Sequence, residues 1–356
     1  MKKLSALLVL FVSILPFQLK GQDKDDPCIL KKEFIYQATD VTFPSCHAST
    51  IIQDGKVLVA AWFGGTREKN PDVCIWTSRF EKGKWTKPAM AADGIQYKGK
   101  RYPCWNPVLY KTGKKILLFY KVGPSPSEWW GEMKESADRG KTWSRAYRLP
   151  EGILGPVKDK PVMLSNGYLL CPSSSEDKGW QLHMEFTADN GLTWERTESL
   201  NDTIPYEAIQ PTILVHKDKL QLLCRSTCGK ILTAWSSDNG RNWSPLEPTQ
   251  LPNPNSGIDA VTLRDGRHLV IYNHLASGRY MLNAAISDDG KEWQGAFIVE
   301  ADDRGKEFSY PAVIQGDDGM VHITYTWNRK LIRHLVVDPS KIKGHPLEVT
   351  FIKMKK

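Results

Sequence analysis

A turn pattern that returns about every fifty residues constrains this chain more than any other feature. Ser136-x-Asp138-x-Gly140-x-x-Trp143, Thr187-x-Asp189-x-Gly191-x-x-Trp194 and Ser236-x-Asp238-x-Gly240-x-x-Trp243 share one spacing. A fourth copy keeps Asp288, Gly290 and Trp293, and a degenerate fifth keeps Ser78 and Trp85 but has Phe80 where the Asp should be. The tryptophans at 85, 143, 194, 243 and 293 are separated by 58, 51, 49 and 50 residues, the length of a four-stranded propeller blade. The unit has a physical logic: Asp accepts hydrogen bonds from its own turn, Gly supplies positive φ, and Trp staples the turn onto a neighbouring sheet. Between the copies lie strand-like runs such as Lys56-Val57-Leu58-Val59-Ala60-Ala61-Trp62 and Lys115-Ile116-Leu117-Leu118-Phe119-Tyr120, and no long helical period competes. The expected fold is therefore all-β: a six-bladed β-propeller of four-stranded antiparallel blades. Five repeats are followed by a last strand set from Tyr310 to Phe351 and completed by a strand from the N-terminus; a seventh blade is open if the N-terminal region adds one.

These turns carry structure rather than chemistry. Each supplies a single carboxylate and the copies lie on separate blades, so they do not form metal loops, and no metal or cofactor is expected. The first residues have a different character. Lys2 and Lys3, the apolar run Leu4 to Phe17 and the polar stretch Lys20-Gly21-Gln22 have the layout of a secretory signal. The expected division is residues 1–22 as signal peptide and 23–356 as propeller, exported to the periplasm or the extracellular space. That apolar run is shorter than the ~20 residues that cross a bilayer, so no membrane span is expected. Loss of the segment removes Lys2, Lys3 and Lys20 and no acid, leaving a mild excess from the full-chain formal charge of +8. The Lys and Arg residues are scattered, which argues against a nucleic-acid groove and is compatible with an anionic glycan. Seven cysteines show no C-x-x-C pair, and Cys74, Cys171 and Cys224 sit in apolar runs, where buried thiols are expected.

The turn pattern resembles the Asp-box of the sialidase superfamily, and the resemblance extends over nearly all of the mature chain. Asp-boxes mark a fold, so function rests on a second residue set. Asp72, in Asn70-Pro71-Asp72-Val73-Cys74, matches the family's loop carrying the acid/base aspartate. Glu207, in Tyr206-Glu207-Ala208-Ile209-Gln210, precedes Arg225, while Arg279 precedes the fourth box and Tyr310 follows in Phe308-Ser309-Tyr310-Pro311. The resemblance implies an exo-acting retaining glycoside hydrolase that removes sialic acid or a related keto-acid sugar from a glycan or glycoconjugate. Such a sugar carries a carboxylate on its anomeric carbon, which would repel a carboxylate nucleophile; a tyrosine hydroxyl avoids that repulsion. In these terms Tyr310 is the nucleophile and Glu207 its base. Asp72 protonates the leaving oxygen and then activates water, and Arg225 and Arg279 grip the substrate carboxylate.

The pattern breaks at the family's first arginine. Here the chain reads Phe43-Pro44-Ser45-Cys46-His47-Ala48-Ser49-Thr50, with His47 standing 25 residues before Asp72. His47 either replaces that arginine when protonated or acts as acid/base itself. Arg67, in Gly64-Gly65-Thr66-Arg67, is close enough in sequence to assist. Trp105, Asn106, Gln210, Asn255 and Asp259 are further candidate substrate contacts, with Lys121, Lys160, Asn273, Trp129 and Trp130 as secondary ones. Two alternatives stay open: a propeller glycosidase or lyase acting on rhamnose or a uronic acid through His47, and a non-catalytic glycan-binding propeller.

Overall fold

The computed structural model describes residues 26–302 and 305–347, so the 1–22 segment lies outside the described residues. Six antiparallel sheets form the blades. Their innermost strands are Ser45–Asp54, Cys104–Thr112, Val162–Met163, Ala208–Val215, Asp259–Thr262 and Phe308–Gln315. Five blades are continuous in sequence. The sixth is closed by Ile29–Phe34, which pairs antiparallel with Leu331–Val337 and makes the N-terminal strand its outermost member, as expected for six blades rather than seven. The last strand of that blade stops at Val337, where Asp338 caps a short 3-10 turn at Pro339–Lys341.

Apolar side chains are gathered between blades rather than at a single centre. Val59, Ile75, Leu109 and Leu118 pack at the interface of blades 1 and 2, and Leu170, Phe186, Leu222 and Leu232 at that of blades 3 and 4. Leu282, Phe297, Val313 and Tyr325 fill the space between blades 5 and 6. The hydrophobic effect therefore acts around the ring, each blade burying its two faces on its neighbours.

Antiparallel strands send their connections alternately to the two ends of the ring. One end carries the Asp-box turns. In blade 2 the Ser136 hydroxyl accepts from Gly140 N at 2.8 Å and donates to Asp138 Oδ1 at 2.8 Å, and Asp138 Oδ1 accepts from Lys141 N and Thr142 N at 3.0 and 2.9 Å. Blades 3 and 4 repeat this around Asp189 and Asp238. In blade 5 the working carboxylate is Asp289 rather than Asp288: it accepts from Ser287 Oγ, Lys291 N and Glu292 N. The hydroxyl must stand two residues before the Asp, and position 286 is Ile, so the register advances by one and the turn shortens.

Each box glycine leans on the preceding blade. A Cβ at Gly140, Gly191 or Gly240 would lie 3.0–3.1 Å from Val59, Met133 or Leu170, and one at Gly290 would overlap Gln221, whose Nε2 donates to the Gly290 carbonyl at 2.6 Å. With φ between 74° and 93° at all four, both conformation and space require glycine.

Candidate active site

The opposite end carries the connections between second and third strands and the crossings onto each innermost strand. Four innermost strands bulge just inside this end, between His47 and Thr50, Trp105 and Val108, Ile209 and Thr212, and Ser309 and Ala312. Three of the bulges contain an X-Pro step: Asn106-Pro107, Gln210-Pro211 and Tyr310-Pro311. Proline has no N–H to give the ladder, so it fits where pairing is interrupted, and the bulge re-aims the preceding side chain. Gln210 and Tyr310 take left-handed φ of 56° and 52°, as do Ala48 in the blade 1 bulge (54°) and Asn255 (57°). That conformation costs non-glycine residues roughly 1–2 kcal/mol each, and such strain gathers at functional sites.

The result is a cluster centred on Tyr310. Its hydroxyl accepts from Arg225 Nη1 at 2.6 Å and lies 3.5 Å from Gln210 Nε2, whose Oε1 partner accepts from the same guanidinium at 3.3 Å. Asn255 joins two arginines: its side chain accepts from Arg225 Nε at 2.8 Å, and its carbonyl accepts from Arg225 Nη2 at 2.7 Å and Arg279 Nη2 at 3.2 Å. The Arg225 and Arg279 guanidinium carbons stand 5.8 and 5.7 Å from the Tyr310 ring. Close approach of the chain to the ring is possible because residue 257 is glycine; a Cβ there would lie 3.2 Å from the ring.

His47 also packs against this ring, with centroids 4.1 Å apart, and is 2% exposed. Its Nδ1 is 3.0 Å from Thr326 Oγ1, and its Nε2 is buried with no hydrogen-bond partner. Burial, followed by the charges of Arg329, Arg279, Arg225 and Lys158, pushes its pKa well below the usual histidine value. A neutral imidazole cannot supply the missing positive charge.

Other sequence candidates fall into different environments. Asp72 sits in the second-to-third-strand connection of blade 1, where its Oδ2 accepts from Thr66 N at 2.7 Å and Thr66 Oγ1 at 2.6 Å. Burial raises its pKa, but these hydrogen bonds outweigh that and hold the carboxyl below the ordinary range. Glu207 lies at the entry to blade 4, its Oε1 3.5 Å from where a Cβ on Gly179 would stand. Among the described residues no hydrogen bond joins Glu207 to Tyr310, since the bulge turns Gln210 toward the phenol instead. Asp259 is 2% exposed and its carboxylate is occupied by Lys160 Nζ, Thr212 Oγ1, Ala260 N and Val313 N, a scaffold role beneath the cluster. Trp105 is buried with its indole donating to the Gly123 carbonyl at 2.8 Å, Asn106 is 6% exposed beside it, and Arg67 is exposed at the rim.

Several residues at this end were not singled out from sequence. Lys158, buried between blades, donates to Asp159 Oδ1 at 2.7 Å and to the Pro311 carbonyl at 2.7 Å, bracing the Tyr310 strand. Glu307 accepts from Arg279 Nη1 at 3.3 Å, Arg329 Nε at 3.0 Å and Ser309 Oγ at 2.7 Å. Glu176, in the blade 3 connection, has its pKa raised by burial against the opposing charge of Arg225. The repeated X-Pro step at strand starts was the available signal for which residues would turn inward. All seven cysteines are unpaired; six are buried and Cys228 is exposed at this end.

Fold and site together define a class: six-bladed propellers with Asp-box turns at one end and an arginine–tyrosine cluster at the other. The chain belongs to the BNR repeat-like domain family, whose model matches residues 56–323. Its fold is similar to that of a Hadza microbial sialidase, at 16% identity over 88% of this chain and 69% of the other, with a TM-score of 0.73. It is similar to the intramolecular trans-sialidase of Ruminococcus gnavus, at 15% identity over 88% and 98% of the two chains and a TM-score of 0.70. A protein of unknown function from Dyadobacter fermentans matches at 16% identity over 87% and 99%, also with a TM-score of 0.70. No curated protein matches the chain in sequence.

Proposed function

We propose that the protein is an exported exo-acting retaining glycoside hydrolase that removes a terminal keto-acid sugar, sialic acid or a relative, from a glycan. The observation that carries the reading is the hydrogen bond of 2.6 Å from Arg225 Nη1 to Tyr310 Oη, at the point where Arg225 and Arg279 converge. A guanidinium that donates to the phenol oxygen stabilises negative charge as it develops there, which is what a tyrosine nucleophile requires. Tyr310 Oη attacks the anomeric carbon while the glycosidic C–O bond breaks, and the leaving oxygen takes a proton from Asp72. Water then displaces the phenol oxygen, with Asp72 accepting the water's proton. Two carboxylates are candidates for the phenolic proton. Glu207 is implied by the family resemblance, and Glu176 by burial that leaves it a stronger base. His47 acts in this reading by holding the ring of Tyr310 in place, since it is neutral and buried.

A second reading, a glycan-binding propeller without turnover, is favoured by one observation: Asp72 is tied twice to Thr66 and held as a carboxylate. The test is product release from terminal glycosides of sialic acid, other keto-acid sugars, uronic acids and rhamnose. Release of a keto-acid sugar that Tyr310→Phe abolishes supports hydrolysis. Release of rhamnose or a uronic acid that survives Tyr310→Phe moves the chemistry elsewhere in the cluster, and binding without release from any substrate supports the lectin-like reading.

A further inference from the structure

The missing first-strand arginine leaves a question of charge. A planar carboxylate bound at Arg225 and Arg279 meets two guanidiniums, and His47, where the resemblance implies a third, has its pKa pushed well below the usual value by burial and by neighbouring charges. Among the residues whose charge bears on His47, Arg329 is the strongest after burial itself. It comes from the far end of the chain. Trp327 and Leu331 are paired across the hairpin of blade 6, and Lys330 N donates to the Trp327 carbonyl at 3.0 Å, closing a tight turn over Asn328 and Arg329. Both central residues are left-handed, with φ of 52° and 56°. Such a turn favours Asn-Gly. This chain keeps the Asn and places Arg where glycine would be the unstrained choice, so the side chain must be worth the strain.

The hairpin is docked against the strand that lacks the arginine: the Arg329 carbonyl accepts from Cys46 N at 2.8 Å, one residue before His47. Two carboxylates then aim the guanidinium. Nε donates to Glu307 Oε1 at 3.0 Å and Nη1 pairs with Glu68. Glu307 in turn holds Arg279 at 3.3 Å, and Asn255 joins Arg279 to Arg225. Arg329, Arg279 and Arg225 thus form one continuous arc, bridged at each step by an acceptor. The Arg329 side chain remains 33% exposed, so part of its five-donor fork is open to a ligand.

We propose that Arg329 is the third carboxylate-binding guanidinium of this site, supplied by the blade 6 hairpin in place of the first-strand arginine. The assignment rests on the acidic-sugar reading given above and deepens it. It also couples the site to the Asp72 connection, since Glu68 lies in the same loop as Asp72.

The experiment measures binding rather than turnover. The probes are a 2,3-unsaturated keto-acid sugar and its methyl ester, titrated calorimetrically into wild type, Arg329→Gln, Arg329→Lys and Arg225→Gln. Wild type is expected to favour the free acid. Arg329→Gln should reduce the acid-to-ester affinity ratio by about ten- to a hundredfold, the range for a lost charged hydrogen bond, while ester affinity changes little. Arg329→Lys keeps the charge but not the fork and should fall between, and it serves alone if the glutamine variant does not fold. An unchanged ratio in the Arg329 variants, with a reduced ratio in Arg225→Gln, would overturn the assignment and leave the acidic-sugar reading standing. A wild type with no preference for the acid would overturn both.

Discussion

The two ends of the ring use carboxylates in opposite ways. At the Asp-box end, Asp138, Asp189 and Asp238 spend their oxygens on their own turns, and each blade repeats the solution of the one before. At the other end no two connections are alike. Blade 1 presents Arg67, Glu68 and Asp72, blade 3 presents Glu176, blade 5 Arg279 and blade 6 Arg329; Arg329 pairs with Glu68 and Arg279 with Glu307 across blades, while Asp72 is held by Thr66 of its own connection. The Asp-box carboxylates of the first end are held by local hydrogen bonds within their own turns. The second depends on groups distant in sequence, such as the bond between Arg225 and Tyr310, 85 residues apart. Repetition at one end frees the other to vary, because blade geometry is set by the turns and interblade packing.

If this division holds, changes at the two ends should separate turnover from stability. The largest effect is expected from Tyr310→Phe, which removes the proposed nucleophile and should lower turnover of a cleaved glycoside by more than about a thousandfold. Its melting temperature should stay close to wild type, measured by calorimetry on the same preparation. A variant that turned over normally would show that the cluster is not the catalytic centre. Next is Gly257→Ala, where the added methyl meets the Tyr310 ring at 3.2 Å. Displacing the ring should lower kcat by about tenfold to a hundredfold, with KM far less affected; unaltered kcat would mean that the ring's position is not critical.

At the Asp-box end the signs reverse. Asp238→Ala deletes a carboxylate that accepts from Asp238's own turn at Ser236, Arg241 and Asn242. A loss of about 1–2 kcal/mol is expected, seen as a melting temperature lower by several degrees, while kcat is unchanged. Coupled loss of turnover would break the separation. The smallest effect concerns acid. Burial pushes the Asp138 carboxyl up, but Thr142, Ser136 and Lys141 hold it down at about 2. A folded value below the unfolded one adds stability that is present above the unfolded value, near 3.9, and is lost as pH falls toward the folded one. Asp138→Asn should therefore melt lower than wild type at neutral pH, and the gap should close between about pH 5 and about pH 2. A gap that widened on acidification would contradict the sign.

The Asp-box turns were legible because their hydrogen bonds lie within one short window, so spacing alone encodes them. Even there, the fourth copy shows what spacing misses: Asp288 matches the interval, but the turn follows the hydroxyl at Ser287 and uses Asp289. For the site, the resemblance drew attention to Tyr310, Arg225 and Arg279, and side-chain chemistry to Gln210 and Asn255, which the fold gathers into one hydrogen-bonded cluster. The resemblance assigned Glu207 to the phenol, where the fold instead turns Gln210 toward it, and it did not point to Glu307 or Arg329. Neither of those has a local motif, and each acquires meaning from a partner on another blade.

By itself the sequence determined the period, the strand and turn chemistry, and hence a ring of four-stranded blades, expected to number six with a seventh left open. Those features depend on side-chain alternation, positive-φ glycines and hydrogen bonds between near neighbours. Only the tertiary structure decided the register in which the N-terminal strand closes the ring, which inner-strand residues the bulges turn inward, and that burial and the charges of Arg329, Arg279 and Arg225 hold His47 toward its neutral form. These depend on burial and on the summed field of charges from several blades, quantities that exist only once the ring has closed.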